Sequence, residues 1–181
     1  MKLLTSVIVV LLLTSCVRVP DGVQPVRGFE AEKYLGKWYE IARLDHSFEA
    51  GLSQVTAEYS RRDDGGLRVI NRGYSEEDQA WSEAEGRAYF VDSSDVGYLK
   101  VSFFGPFYGA YVVFGLDQNG YEYAFVSGPD TSYLWLLARA PEVSETVMAE
   151  FLDRTRTLGF DTDALIYVDH KKQSAGGKTT P

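Results

Sequence analysis

The stretch Gly36-Lys37-Trp38-Tyr39-Glu40-Ile41-Ala42-Arg43 opens the part of the chain whose pattern decides the fold. From here to residue 139 apolar and polar residues alternate, aromatics are frequent, and turn residues recur at fairly even spacing, as in short strands joined by tight connections. Strands are expected over 38–44, 54–61, 66–74, 81–91, 97–104, 109–116, 121–127 and 133–139. Between them stand Asp63-Asp64-Gly65-Gly66, Gly105-Pro106, Asn119-Gly120 and Gly128-Pro129-Asp130. Asn119-Gly120 is the sharpest of these signals, because both residues tolerate the positive φ of a tight hairpin turn. A run of strands like this implies an antiparallel sandwich or barrel.

Helical periodicity is confined to residues 142–158. There Val143, Val147, Met148, Phe151, Leu152 and Thr155 share one face, with Pro141 just before and Gly159 just after, which marks an amphipathic helix. A lone helix after a series of strands is expected to pack outside the sheet, and a short final strand is read over 164–168. Residues 31–168 thus form one all-β domain of about 140 residues, enough for a real core. The polar stretch 169–181, rich in Gly, Lys and Thr, is expected to be a flexible tail.

The other end carries a targeting signal. Met1-Lys2, an apolar run from Leu3 to Leu13 and the small pair Thr14-Ser15 make a secretory signal peptide over 1–15. The run is too short to cross a bilayer as a helix, which takes roughly 20 residues. Leu13-Thr14-Ser15-Cys16 resembles the lipobox of bacterial lipoproteins, which implies lipid on Cys16 and a new N-terminus there. Cys16 is the only cysteine, so an internal disulfide and a cysteine metal cluster are excluded. Residues 16–30 are expected to be a lipidated N-terminus and a short tether. The net charge of −8 is repelled by nucleic acid and by anionic headgroups, so neither a nucleic-acid site nor a peripheral membrane patch is expected.

Gly36-Lys37-Trp38 in the first strand, Leu136-Leu137-Ala138-Arg139 in the last long one, and the late helix together resemble the lipocalins. Three stretches are similar to the bacterial outer-membrane branch of that family. They are Trp38 to Arg43, Val101-Ser102-Phe103-Phe104-Gly105-Pro106-Phe107-Tyr108-Gly109, and Ser127-Gly128-Pro129-Asp130 with Tyr133-Leu134-Trp135. The resemblance runs from about Gly28 to Val168. It implies an eight-stranded antiparallel up-and-down barrel, closed at one end and open at the other, holding one apolar ligand. It implies also that Trp38 plugs the closed end with Arg139 stacked across it, so that Gly36, Trp38 and Arg139 serve the fold. An outer-membrane location, lipid-anchored with the barrel facing the periplasm, belongs to the same expectation, which Val17 after the cysteine supports.

If Trp38 and Arg139 point inward, period-two alternation assigns the other inward positions. They are Glu40 and Ala42 on the first strand, then Val55, Ala57 and Tyr59, then Leu67, Val69 and Asn71. Ala84, Gly86 and Ala88 follow, then Leu99, Val101 and Phe103, then Tyr111 and Val113, then Ala124 and Val126, and lastly Trp135 and Leu137. Ile41 and Leu136 face outward under the helix. The small members of this set leave space and the aliphatic and aromatic ones make it apolar, which points to a ligand-sized cavity. Glu40 needs a partner or a proton. It is either satisfied by a tyrosine or Asn71, or it senses the polar end of a ligand. The aromatic turn from Phe103 to Tyr108 reads as ordinary packing over the barrel end, a lid, a membrane contact or a homodimer contact.

Nothing in the sequence points to catalysis or to a cofactor. His46 and His170 are the only histidines and neither has metal-ligand spacing to a second ligand. No serine sits in a nucleophile elbow. The expected function is binding of a fatty acid, lysophospholipid or similar amphiphile, for lipid transport, storage or membrane maintenance. A tetrapyrrole or quinone carrier, or a ligand-free partner-binding lipoprotein, are the alternatives.

Overall fold

The computed structural model describes residues 17–170. Cys16, the expected signal peptide before it and residues 171–181 of the expected tail lie outside the described residues. A short helix α1 (Ala31–Tyr34), which the alternation did not announce, leads into eight strands. These are β1 (Gly36–Arg43), β2 (Leu52–Arg61), β3 (Leu67–Ser75), β4 (Ala80–Phe90), β5 (Tyr98–Ser102), β6 (Gly109–Leu116), β7 (Tyr123–Ser127) and β8 (Leu134–Ala138). Each strand pairs antiparallel with the next, and β1 also pairs with β8, so the sheet closes into the expected up-and-down barrel. Closure pairs the backbone groups that an open sheet would expose on two edges.

Helix α2 (Glu145–Thr157) lies outside this barrel. It begins later than the periodicity implied because Ser144 caps it, its Oγ accepting from the Val147 N–H at 3.3 Å, and a capping serine satisfies a donor the first turn leaves open. Gly159, at φ +82°, ends it. Phe151 from α2 is buried with Phe114, Phe125, Leu136 and Phe160 in an outer cluster. The last strand is shorter than expected: β9 (Ile166–Tyr167) pairs with Ala42 and Arg43 of β1.

Alternation along β1 has one consequential break. Glu40 stands opposite Leu137, but Ala42 stands opposite Leu136 and Arg43 opposite Trp135, a β-bulge. One extra residue reverses which face each later side chain takes. Ala42, expected inside, therefore belongs to the outer cluster with Ile41 and Leu136. Arg43 turns to the same side as Glu40 and meets its carboxylate at 2.7 Å.

The closed end is built on Trp38, which is fully buried. Its indole N–H donates to the Tyr34 carbonyl at 2.8 Å, and the Arg139 guanidinium lies 3.9 Å from its ring centre. The same guanidinium donates to the carbonyls of Lys33, Leu35 and Lys37 at 2.7 to 2.9 Å, capping α1, whose last carbonyls have no partner within the helix. Gly36 sits in this corner at φ +90°, a conformation that costs a residue with a Cβ. Above Trp38, Phe29, Leu67, Ala88, Leu99, Val113, Tyr121, Ala124 and Val126 fill the lower barrel as a buried cluster.

Residues 17–28, expected to be a tether, lie along the outer wall. Val23 is buried in the outer cluster and Val17 and Val19 pack against it. The Tyr98 hydroxyl donates to the Val17 carbonyl at 2.7 Å, and Val26 is bonded to Val113 and Gly97 at 2.8 and 2.9 Å.

Candidate ligand-binding site

The upper half of the barrel is hollow. A cavity of about 730 Å³ opens between the loops 44–51, 103–108 and 128–133. That volume falls within the few hundred to a thousand Å³ typical of small-molecule pockets. Its wall includes Val55, Ala57, Val69, Ala84, Val101, Phe103, Trp135 and Leu137, and Phe48, Phe104, Phe107, Pro129 and Tyr133 stand at its mouth. Gly86 makes room rather than lining it, since a Cβ there would come within 2.8 Å of the Phe103 ring.

Three tyrosines form the floor. Tyr111 joins Tyr34 on one side and Tyr59 on the other, hydroxyl to hydroxyl at 2.7 Å in both cases. Burial drives all three pKa values up, so the hydroxyls stay neutral and serve as hydrogen-bonding groups in an apolar chamber.

One wall is polar. Arg43 donates to Glu40 at 2.7 Å and to the carbonyls of Glu49 and Leu52 at 3.0 and 3.2 Å. Glu49 accepts from the Asn71 amide and the Trp135 indole, each at 3.3 Å, and His46 Nε2 lies 3.2 Å from it. Burial, reinforced by Glu49 and opposed by Arg43, holds Glu40 well above the ordinary carboxylate range. Burial also pushes Glu49 up, but the contacts from His46 and Trp135 outweigh it and leave Glu49 below its ordinary value. The physical result is a proton favoured on Glu40 and a charge favoured on Glu49, which Arg43 offsets. Asn71 Oδ1 is buried with no hydrogen-bond partner, an acceptor available to whatever fills the cavity.

Of the positions read from alternation, Glu40, Val55, Ala57, Tyr59, Val69, Asn71, Ala84, Val101, Phe103, Tyr111, Trp135 and Leu137 line this chamber. Leu67, Ala88, Leu99, Val113, Ala124 and Val126 face inward but are packed into the lower barrel below it. Ala42 is outside, displaced by the bulge. Sequence reasoning missed Arg43 and Glu49, and it offered Glu40 a tyrosine or Asn71 as partner, or the polar end of a ligand. The signal available was Glu40 itself, a buried acid that demands a cation, with Arg43 only three residues away. Also missed were Phe48, which reaches the mouth from a connecting loop that carries no alternation, and Tyr133, which stands just before β8 in the same parity as Trp135.

A closed eight-stranded barrel with an external helix, a tryptophan–arginine plug and a one-ended apolar chamber is the architecture of a lipocalin, and this chain belongs to the lipocalin family. Residues 29–170 match the Lipocalin-like domain. Among individual proteins, it is 59% identical over 171 residues to the outer membrane lipoprotein Blc of Vibrio cholerae serotype O1, covering 94% of this chain and 100% of that one. It is 53% identical over 149 residues to outer membrane lipoprotein Blc of Escherichia coli K12, covering 82% and 84%. Its backbone also superposes on insecticyanin from the tobacco hornworm Manduca sexta with a TM-score of 0.68 at 20% identity, over 86% and 88% of the two chains. That likeness concerns the fold.

Proposed function

We propose that this chain is an envelope lipoprotein, cut before Cys16 and held in the outer membrane by lipid on that residue, with its barrel in the periplasm. In the barrel it binds a fatty acid, lysophospholipid or similar amphiphile, for lipid transport, storage or membrane maintenance. The observation that carries this reading is the one-ended apolar cavity of about 730 Å³. An acyl chain lies along Val55, Val69, Val101 and Leu137, and its polar end meets Glu40, Asn71 or the mouth. The names of the Vibrio and Escherichia relatives support the location.

The driving force is burial, about 25 cal/mol per Å² of apolar surface removed from water, less the cost of immobilising the ligand. The role is binding rather than catalysis: Arg43 holds Glu40, and Asn71 and Trp135 hold Glu49, as befits a preorganised lining. Native mass spectrometry after gentle extraction tests the proposal. Co-purified lipid is the expected result, whereas a coloured adduct would favour a tetrapyrrole or quinone. A clean ligand-free mass with no uptake of a fluorescent fatty acid would overturn binding altogether.

A further inference from the structure

Two features of the surface lie on the same flank of the barrel, and the proposed function uses neither. The first is the docked arm. Cys16 is one peptide bond from Val17, whose carbonyl is held by the outward-facing Tyr98 at the start of β5. A free segment of residues 17–30 would reach about 50 Å at roughly 3.5 Å per residue, whereas here the segment is held on the wall from Val17 onward. Lipid on Cys16 would thereby be joined through one peptide bond to a residue held on the barrel rather than to a leash.

The second feature is the loop that leaves the other end of β5. Among the described residues, Phe104 and Phe107 are the most exposed large apolar side chains, at 75% and 79%. They stand at the cavity mouth, and only about 13 Å of strand separates Tyr98 from Ser102, where the loop begins. Two cations flank it, Arg87 at 5.8 Å and Lys100 at 5.3 Å from the Tyr108 ring centre. Both lie on outward positions of their strands, opposite in parity to Ala88 and Val101. Of the acids near this flank, Glu85 is paired with Arg68 at 2.6 Å, Glu83 stands on the mouth side of Arg87 along β4, and Asp92 lies near Tyr98 at the anchor end. Exposed aromatics bordered by cations suit a bilayer surface, where rings enter the interface and basic groups meet anionic headgroups.

We propose that the β5 flank is a membrane-docking face: lipid on Cys16 and the Phe104–Phe107 loop engage one bilayer together, and so hold the cavity mouth against the membrane surface. This rests on the reading of Cys16 as lipid-modified. Despite the overall charge of −8, the loop itself is apolar with Arg87 and Lys100 beside it, and the lipid anchor supplies the proximity that a net-acidic protein would otherwise lack. An amphiphile would then pass between bilayer and barrel across the phenylalanine loop without crossing open water.

The test uses the full-length chain, isolated from membranes, carrying Phe107→Cys or, at the exposed closed-end turn, Asn119→Cys. The free thiol is labelled with an environment-sensitive fluorophore, and the protein is placed in vesicles of phosphatidylethanolamine and phosphatidylglycerol with or without brominated acyl chains. A lipid-blocked Cys16 leaves one label per chain. Two labels per chain would overturn the anchor itself, and so tell that failure apart from a failure of docking. With one label, emission at 107 should fall by about half or more with brominated lipid and emission at 119 should not change. Adding Arg87→Glu and Lys100→Glu should weaken the quenching at 107 at least about twofold, as expected for removing basic groups from an anionic surface. Equal responses at 107 and 119 would overturn the proposal. So would a probe at 107 that is shielded from water yet unquenched by lipid in a protein of doubled mass, because a second copy would then cover the loop.

Discussion

Replacing Arg43 by Met tests the polar wall most directly. Arg43 is 1% exposed, and the change removes a 2.7 Å contact to Glu40 and two hydrogen bonds to the carbonyls of Glu49 and Leu52. Without this buried cation the charge favoured on Glu49 loses its offset, and removing one partner of a buried charge pair costs about 3 to 5 kcal/mol. For a chain of this size each kcal/mol lowers Tm by about 2 to 4 °C, so a fall of about 10 °C is expected. The cost must grow with pH. Arg43 opposes the rise in the Glu40 pKa, and its loss hurts most where Glu40 would ionise. Urea unfolding of four soluble Cys16→Ser proteins at pH 5 and pH 8 measures this: the parent, Arg43→Met, Glu40→Gln and the pair. The Arg43→Met cost should be larger at pH 8, and that increase should vanish in the Glu40→Gln background. A cost below about 1 kcal/mol, or a pH increase that survives the Glu40→Gln substitution unchanged, would refute the reasoning.

Three further outcomes are expected. Arg139→Ala removes a stacked guanidinium and its bonds to four carbonyls, and after allowance for its partial exposure it should cost about 2 to 4 kcal/mol in denaturant unfolding. Glu40→Gln should flatten the pH dependence of Tm. A carboxyl whose folded pKa is raised weakens the fold as pH climbs above its unfolded value, so the variant should match the parent near pH 4 and exceed it at pH 8, and parallel curves would contradict this. Ala84→Trp projects a large ring into the open upper cavity, where Ala84 is exposed. It should lower the affinity for a fluorescent fatty acid at least about tenfold and move Tm by less than about 2 °C, because it fills space without displacing core.

The barrel was legible in the sequence because period-two alternation and turn residues are local signals, and each strand carried its own. The inward parity of β2 to β8 followed from them. Parity failed at Ala42 because a bulge inserts one residue while leaving composition unchanged, so Ile41-Ala42-Arg43 reads equally well in either register. The floor of the cavity was misplaced for a related reason. Alternation says which way Leu99 or Val113 points but not how high in the barrel it lies, and depth decided which inward residues were packed and which lined space. Glu49, Phe48 and Tyr133 entered the site from loops, whose paths are set by long-range contacts such as the Trp135 indole to the Glu49 carboxylate. The docked arm was hidden likewise, since Val17, Val19 and Val23 show their use only once α2 and β5 form the groove they fill.

The pairing of β1 with β8 has a consequence in time. Arg139 reaches back 102 residues to bond the Lys37 carbonyl, so the seam that closes the cylinder joins segments from opposite ends of the domain. Contacts of such long range form slowly, because loop closure must precede the gain they bring. A chain exported across a membrane from its N-terminus presents β1 long before β8, and until β8 arrives β1 is a bare edge able to recruit any neighbouring strand. The seam therefore cannot close until β8 has emerged, and β1 carries an open edge until then. Its guanidinium latch can snap shut only after nearly the whole barrel has emerged.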